Sequence, residues 1–385
     1  MRIALVAGEA SGDALGAALI EALKRRFPDA EFAGVAGPRM KAAGCVAWHG
    51  IEELSVMGLA EVISHLPKLL RLRSELVYRL TLEWRPDVFI GVDYKEFNLG
   101  LARKLKAQGL ATVQYVSPQI WAWRQGRVRT MNEAVDLVLC LFPFEPPFYR
   151  EHGVRAAFVG HPLADQIPIE VDRAAARAQL GIDAAARVLA VLPGSRRGEV
   201  ERLGAPFAAT AEKLARQFSG LVCIAPMVTP ALRDSFAKHC AALAPTAQVR
   251  LLDGDARTAL AAADVALVAS GTATLEAALL KRPMVVAYRL NALTAWLLRT
   301  FRLVKVDHFS QPNLLAGGKL VDEFFQEAAN SDAMSRALAD WLSKPERVEH
   351  LRREFTKLHE RLRCGGAERA SAEIAELLTA RTATP

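Results

Sequence analysis

Short apolar runs alternate with amphipathic stretches along the whole chain. Ile3–Ala7, Asp87–Val92, Thr112–Val116 and Val135–Leu139 are brief and dominated by apolar side chains. The same unit recurs at Arg187–Leu192, Leu221–Ala225, Asp264–Ala269 and Pro283–Ala287. Strands buried on both faces read this way, without a polar side chain at every second position. Between them lie stretches such as Ala14–Phe27 and Leu203–Phe218, with apolar residues at helical spacing. The alternation predicts βαβ units, and so an α/β protein of parallel, doubly wound sheets.

The pattern pauses once, at Gly160-His161-Pro162-Leu163-Ala164-Asp165-Gln166-Ile167-Pro168, which has two prolines and no period. Read as a linker, it predicts an N-terminal domain over 1–165 and a C-terminal domain over 166–360. The remaining 361–385 is expected to be a helix packing back on the N-terminal domain. A length of 385 residues suits two such cores better than one. Two sheets of this kind, facing each other, would line a cleft with the loops at their strand C-terminal ends. Ligands bind at those ends in open α/β sheets.

Composition narrows the class. Hydrophobic residues make up 51% and charged residues 24%, as in a globular protein. The net charge of +7 fits nucleic acid, an anionic membrane surface or a phosphorylated substrate, and does not choose among them. Five cysteines without a CxxC pattern speak against a disulfide framework or a zinc site and for a reducing cytosol. Glu9 ends the first apolar run too early for a signal-peptide core. No uninterrupted apolar stretch approaches the ~18 residues of a spanning helix.

The candidate chemistry sits where strands give way to helices. In "VLPGSRRGEV", 191 to 200, a strand breaks at Pro193-Gly194, and Ser195, Arg196 and a helix follow. Unpaired N–H groups and the helix dipole favour an anion there, and arginine forks onto phosphate oxygens. The same stretch also reads as a plain βα turn with solvated arginines. "DVALVASGTATLEAAL", 264 to 279, repeats the logic with Ser270-Gly271-Thr272 and places Glu276 nearby. Glu276 could favour the helix dipole or accept from a ribose diol. Two such loops and one acid together point to a nucleoside diphosphate. Asp253-Gly254-Asp255 matches a short metal-holding triplet but also a turn, and the histidines show no ligand spacing.

In the N-terminal half, "GEASGDALGAAL" is a small-residue first loop that is not GxGxxG; Ser11 and Gly12 lie in it. Asp93 ends a strand in "VFIGVDYKEFN", where a carboxylate reaches a ligand or makes an Asx turn. Glu9 and Asp13 are the nearest competing acids, placed to serve the first helix at its own N-terminus. "VSPQIWAWRQGRV" sets Trp121, Trp123 and Arg124 after another strand, for stacking on a sugar, for packing, or for single-stranded nucleic acid. The stretch 61 to 80 is amphipathic and basic. Leu66, Leu69, Leu70 and Leu72 are its candidate membrane-facing residues, against the plainer reading of a core-facing helix.

Taken together, "VAGEASGD", "GVAGPRM", "SVMGLAEV", "YVSPQIWAWRQ", "FVGHPLAD", "LPGSRRGEVE", "ASGTATLEA" and "PNLLAG" resemble, in order and over nearly the whole chain, the lipid-A-disaccharide synthases. The resemblance implies two Rossmann-like domains of the GT-B type. It implies an inverting transfer of 2,3-diacylglucosamine from its UDP derivative to the 6-hydroxyl of 2,3-diacylglucosamine 1-phosphate. No metal or cofactor is implied. The expected place is the cytoplasm, peripheral on the inner face of the inner membrane. The expected partners are the two substrates and that anionic surface, not nucleic acid; a homodimer is left open.

Residue by residue, the resemblance gives Asp93 the catalytic role. It assigns Gly194, Ser195 and Arg196 to the diphosphate, and Gly271, Thr272, Glu276 and Asn313 to the nucleotide. Ser11, Gly12 and Trp123 are candidates around the acceptor. One stretch departs: Asp93-Tyr94-Lys95-Glu96-Phe97-Asn98 stands where the family has D-A-P-D-F-N. A different UDP-sugar enzyme, a peptidoglycan N-acetylglucosaminyltransferase or a UDP-N-acetylglucosamine epimerase, would share the donor half but give 61–80 no role. An RNA-binding protein would explain the charge but not the paired loops.

Overall fold

The computed structural model describes residues 1–54, 59–118, 120, 128–291 and 307–382, with backbone only at 59–65. The chain divides into two compact units. One is Met1–Asp165 joined by the stretch from Leu362 onward, and the other is Gln166–Arg361.

The first unit holds β1 (Arg2–Ala7), β2 (Glu31–Ala36), β3 (Cys45–Gly50), β4 (Val88–Val92), β5 (Ala111–Tyr115), β6 (Leu137–Cys140) and β7 (Ala156–Phe158). They form one sheet in the order β3-β2-β1-β4-β5-β6-β7, with every pairing parallel. β4 is buried along its whole length, which its VFIGV sequence tolerates because helices cover both faces. The second unit holds β8 (Val188–Leu192), β9 (Val222–Met227), β10 (Arg250–Asp253), β11 (Val265–Ala269), β12 (Met284–Tyr288) and β13 (Asp322–Phe325). Their order is β10-β9-β8-β11-β12-β13, again all parallel.

In each unit the strand order reverses once, between β1 and β4 and between β8 and β11. Loops leaving two such neighbours diverge and leave a crevice at their C-terminal ends. The helix Gly366–Thr382 belongs to the first unit, against the helix Ala10–Arg26. The Gly365 and Gly366 N–H groups donate to the Asp165 carboxylate at 3.0 and 2.8 Å, and Arg25 pairs with Glu368.

Several elements differ from the sequence expectation. β2, β3, β7 and β13 add to the expected strands; β2 is apolar and buried from Phe32 to Ala36, as β1 is. β3, β7 and β13 lie at or near sheet edges, where one side needs less burial. The stretch 160–168 contains a short helix, Pro162–Gln166. His161 is buried there against the Phe142 ring, its Nδ1 accepting from the Leu163 N–H at 3.2 Å. Burial pushes its imidazole down from the ordinary 6.5 to about 4.

The basic stretch 61 to 80 forms the helix Leu59–Tyr78, continued by a wider turn at Arg79–Glu83. Its leucines do not share one face. Leu72 is buried and packs in a core with Leu76, Leu80, Phe89 and Leu101, and Leu69 leans against that core. Only Leu66 and Leu70 of the four expected outward leucines are exposed, at 49% and 42%. Tyr78 and Leu82 extend that stripe. The correction follows from the 3.6-residue repeat: Leu72 lies two positions from Leu70, on another face.

Candidate active site

Each unit gathers its candidates at its own switch point. In the first, Asp93 follows β4 directly, and Ser11 and Gly12 open the helix after β1. A Cβ on Gly12 would lie 3.3 Å from the Val92 carbonyl oxygen and 3.7 Å from the Asp93 Cβ. Glycine therefore lets the helix approach the end of β4. Gly8 gives similar room to the Tyr94 ring, with which a Cβ would collide.

The backbone at this edge is strained. Among the described residues eight non-glycine residues have positive φ, and Asp93 (53°), Tyr94 (36°) and Val116 (77°) cluster at the ends of β4 and β5. A β-branched residue such as Val116 is costly there, and strain of this kind collects at working sites. Buried amides hold it. Asn98 Nδ2 donates to the Asp93 carbonyl at 3.0 Å and to the Val6 carbonyl at 3.1 Å. Gln114 Nε2 donates to the same Asp93 oxygen at 3.1 Å. The Tyr94 hydroxyl donates to the Leu54 carbonyl at 2.7 Å. Burial and Glu9 push that phenol upward, so it stays protonated as a donor.

Asp93 is thus turned by its backbone while its carboxylate keeps no hydrogen bond or ion pair among the described residues. Beside it, Lys95, Glu96, Leu99, Arg103, Pro118 and Ile120 line a cavity of about 200 Å³. The Tyr-Lys departure from the family pattern is built into this turn, with Tyr94 as its left-handed corner. Asp13 is not a competitor. It is buried and accepts from the N–H groups of Gly37, Arg39 and Met40 at 2.9 to 3.0 Å, capping the helix Pro38–Ala42 rather than its own. Trp121, Trp123 and Arg124 lie outside the described residues.

In the second unit, Pro193-Gly194-Ser195-Arg196 follows β8 and opens the helix Arg197–Gln217. Gly194 has φ 131°, and a Cβ there would collide with Glu199. The Glu199 carboxylate accepts from the Ser195 N–H at 2.9 Å and the Arg196 N–H at 3.2 Å. These donors already hold an anion, supplied by the chain itself. The Arg196 side chain is 85% exposed, with Glu199 at 3.8 Å as its ion-pair partner. Sequence reasoning missed Glu199, although an acid three residues into a helix is a recognised capping signal.

Gly271 and Thr272 stand exposed where β11 meets the helix Thr272–Leu279. A Cβ on Gly271 would meet nothing within 4 Å. Glu276 is partly buried; burial raises its carboxyl pKa and Arg257 opposes the rise. Ser270 Oγ donates to the Phe309 carbonyl at 3.2 Å, tying this loop to the start of the helix Gln311–Ala316. Ser310 Oγ and Gln311 Oε1 are buried there without a partner among the described residues. Neither was singled out from the sequence, though Ser-x-Pro marks a helix start.

Asn313 is placed differently from the expected nucleotide contact. It is fully buried. Its Oδ1 accepts from the Leu320 and Val321 N–H groups, and its Nδ2 donates to the Val321 carbonyl. Its amide orders the chain leading to β13. The Asp253-Gly254-Asp255 turn has local uses too: Asp253 pairs with Arg233, and Asp255 caps the helix Ala256–Ala262 through the Thr258 N–H.

The sequence profile of the Lipid-A-disaccharide synthetase family matches residues 3–374. The chain belongs to that family. A lipid-A-disaccharide synthase of Alkalilimnicola ehrlichii is 52% identical over 376 residues, covering 97% of this chain and 98% of the relative. Among solved structures, the UDP-GlcNAc 2-epimerase from Neisseria meningitidis, bound to UDP-GlcNAc, matches with a TM-score of 0.62 at 14% identity, covering 98% of this chain and 100% of that one. The calicheamicin glycosyltransferase matches at 0.55 and 17% identity, covering 100% and 99%. At such identities the likeness shows the fold, which is GT-B. Family membership makes the chain an enzyme, a glycosyltransferase of lipid A biosynthesis.

Proposed function

We propose that this member of the lipid-A-disaccharide synthetase family transfers 2,3-diacylglucosamine from its UDP derivative to the 6-hydroxyl of 2,3-diacylglucosamine 1-phosphate, with inversion. The observation that carries the donor half is the pair of loops after β8 and β11, which meet at one switch point. The diphosphate displaces the Glu199 carboxylate from the Ser195 and Arg196 N–H groups and takes the Arg196 guanidinium. Gly271 and Thr272 leave room for the nucleotide at the next helix start. Glu276 accepts from the ribose hydroxyls, and Asn313 holds its surroundings from behind.

Asp93 is the base. Its carboxylate takes the proton of the acceptor 6-hydroxyl, whose oxygen attacks the anomeric carbon. The bond from that carbon to the diphosphate oxygen breaks, and UDP leaves with the electron pair. Donors fixed before the reaction stabilise the charge gathering on the diphosphate. Ser11 and Gly12 border the acceptor position.

The acyl chains remain in the bilayer while the enzyme rests on its anionic face. Leu66, Leu70, Tyr78 and Leu82 are exposed on one helical stripe, with Lys68 and Arg71 exposed beside it. No helix among the described residues is long and apolar enough to cross a membrane.

The test is turnover by the purified protein with acylated and deacylated UDP-glucosamine in parallel. Disaccharide 1-phosphate and UDP are expected from the acylated donor alone. Equal use of the deacylated donor, or epimerisation of UDP-N-acetylglucosamine without transfer, would overturn the proposal.

A further inference from the structure

At the end of the second sheet away from the donor loops, the N-terminal ends of β8, β11 and β12 border a cavity of about 620 Å³. Six cations line it: Arg173, Arg177, Arg187, Lys281, Arg282 and Arg352. Two carboxylates, Asp264 and Glu349, face them. Asp264 is already committed, accepting from Arg173 at 2.7 Å, Arg177 at 2.9 Å and the Val188 N–H at 2.8 Å. Glu349 stands at the exposed rim, 3.9 Å from Arg352. The wall therefore keeps an excess of positive charge.

Two buried donors in that wall have no hydrogen-bond partner among the described residues. Arg282 is only 3% exposed; its Nη1 donates to the Ala263 carbonyl at 3.1 Å, and its Nε is one of the two. Trp341 is equally buried, and its indole Nε1 is the other. Arginine and indole nitrogens only donate, so acceptors alone can satisfy them. Leaving such groups unpaired is costly, and a buried guanidinium among others more so. Burial, with Arg352, Arg173 and Arg177 nearby, presses the Arg282 guanidinium down to about 10. An anion inside the cavity would relieve both costs.

We propose that this cavity is a second anion site, taking a phosphate-bearing ligand on Arg282 and Trp341 with Arg173, Arg187 and Arg352 at the rim. Planar guanidinium forks suit phosphate oxygens. The volume falls within the range of about 300–1,000 Å³ typical of small-molecule sites, enough for a phosphorylated organic group. The site is separate from the donor loops, which lie at the opposite strand ends.

Calorimetry on the full chain, saturated with UDP to fill the donor loops, tests this with inorganic pyrophosphate as the probe. One further equivalent should bind, and Arg282→Gln should weaken it at least tenfold. Because Arg282 is buried, the exposed pair Arg187→Glu/Arg352→Glu serves as a second variant that leaves the interior intact and should weaken binding as much. Phosphatidylglycerol vesicles then separate the sources. Vesicle binding that pyrophosphate displaces, and that the rim variant loses, assigns a lipid headgroup; pyrophosphate binding without such displacement assigns a soluble phosphate. Either result supports the site. No pyrophosphate binding beside UDP, or binding unchanged in the rim variant, would overturn it.

Discussion

The amide of Asn98 donates to the main-chain carbonyl of Asp93 at 3.0 Å, from a side chain with no exposed surface. The bond runs to the backbone, so it sets where the carboxylate points without competing for it. Two successive left-handed residues, Asp93 and Tyr94, cost on the order of 1–3 kcal/mol each, and the surroundings must hold them. Asn98→Ala should therefore lower kcat at least tenfold while the donor KM holds. A stability loss of about 1–3 kcal/mol should accompany it. Steady-state kinetics below the variant's melting temperature checks this; unchanged kcat would make Asn98 merely structural.

At the donor loop, removing a charge-assisted phosphate bond costs roughly 1.5–3 kcal/mol. Arg196→Ala should then weaken UDP binding about ten- to a hundredfold. Gly194→Ala should weaken it as well, because any Cβ at φ 131° collides with Glu199. UDP calorimetry reads both, and an Arg196→Ala affinity equal to wild type would take that side chain off the diphosphate.

The helix Leu59–Tyr78 separates two roles position by position. Leu66→Ser/Leu70→Ser should reduce binding to anionic vesicles and leave the melting temperature nearly unchanged. Leu72→Ala opens a cavity in the core and should cost on the order of 2–5 kcal/mol. Flotation with vesicles and a thermal melt distinguish them. Full vesicle binding by the double variant would mean that the stripe does not meet the membrane.

His161 links stability to pH. Its folded imidazole titrates at about 4 against an ordinary 6.5, so between those values the unfolded chain binds the extra proton. The contribution of the neutral ring is complete above pH ~6.5 and is lost as pH falls towards ~4. At 1.36 kcal/mol per unit, the loss approaches about 3 kcal/mol. Melting curves of wild type and His161→Phe should converge as pH drops from 7.5 to 4.5. Parallel curves would show that burial does not depress this group.

Much of this was legible because parallel strands buried on both faces leave continuous apolar runs, and because loops at a switch point need glycine and hydroxyl residues. Asp93 and the Gly194 and Gly271 loops could be placed on that basis. Asn98 and Gln114 could not, since a polar residue inside a helix or strand carries no sign that it will clamp a carbonyl two elements away. Glu199 looked like an ordinary helix acid. Leu72 was misplaced because basic residues around a leucine-rich helix mask which face its repeat buries. Asn313 shows the converse: a motif can mark a residue near a site without saying whether its side chain faces the ligand or the backbone.

The central claim is that Asp93 takes the acceptor's proton. Asp93→Asn keeps the shape of the side chain and removes its basicity. Turnover with diacylated donor and acceptor should fall by roughly 10²–10⁴, with UDP affinity and melting temperature unchanged. A variant that folds, binds UDP and turns over within a few-fold of wild type would contradict the account and pass the role to Glu96.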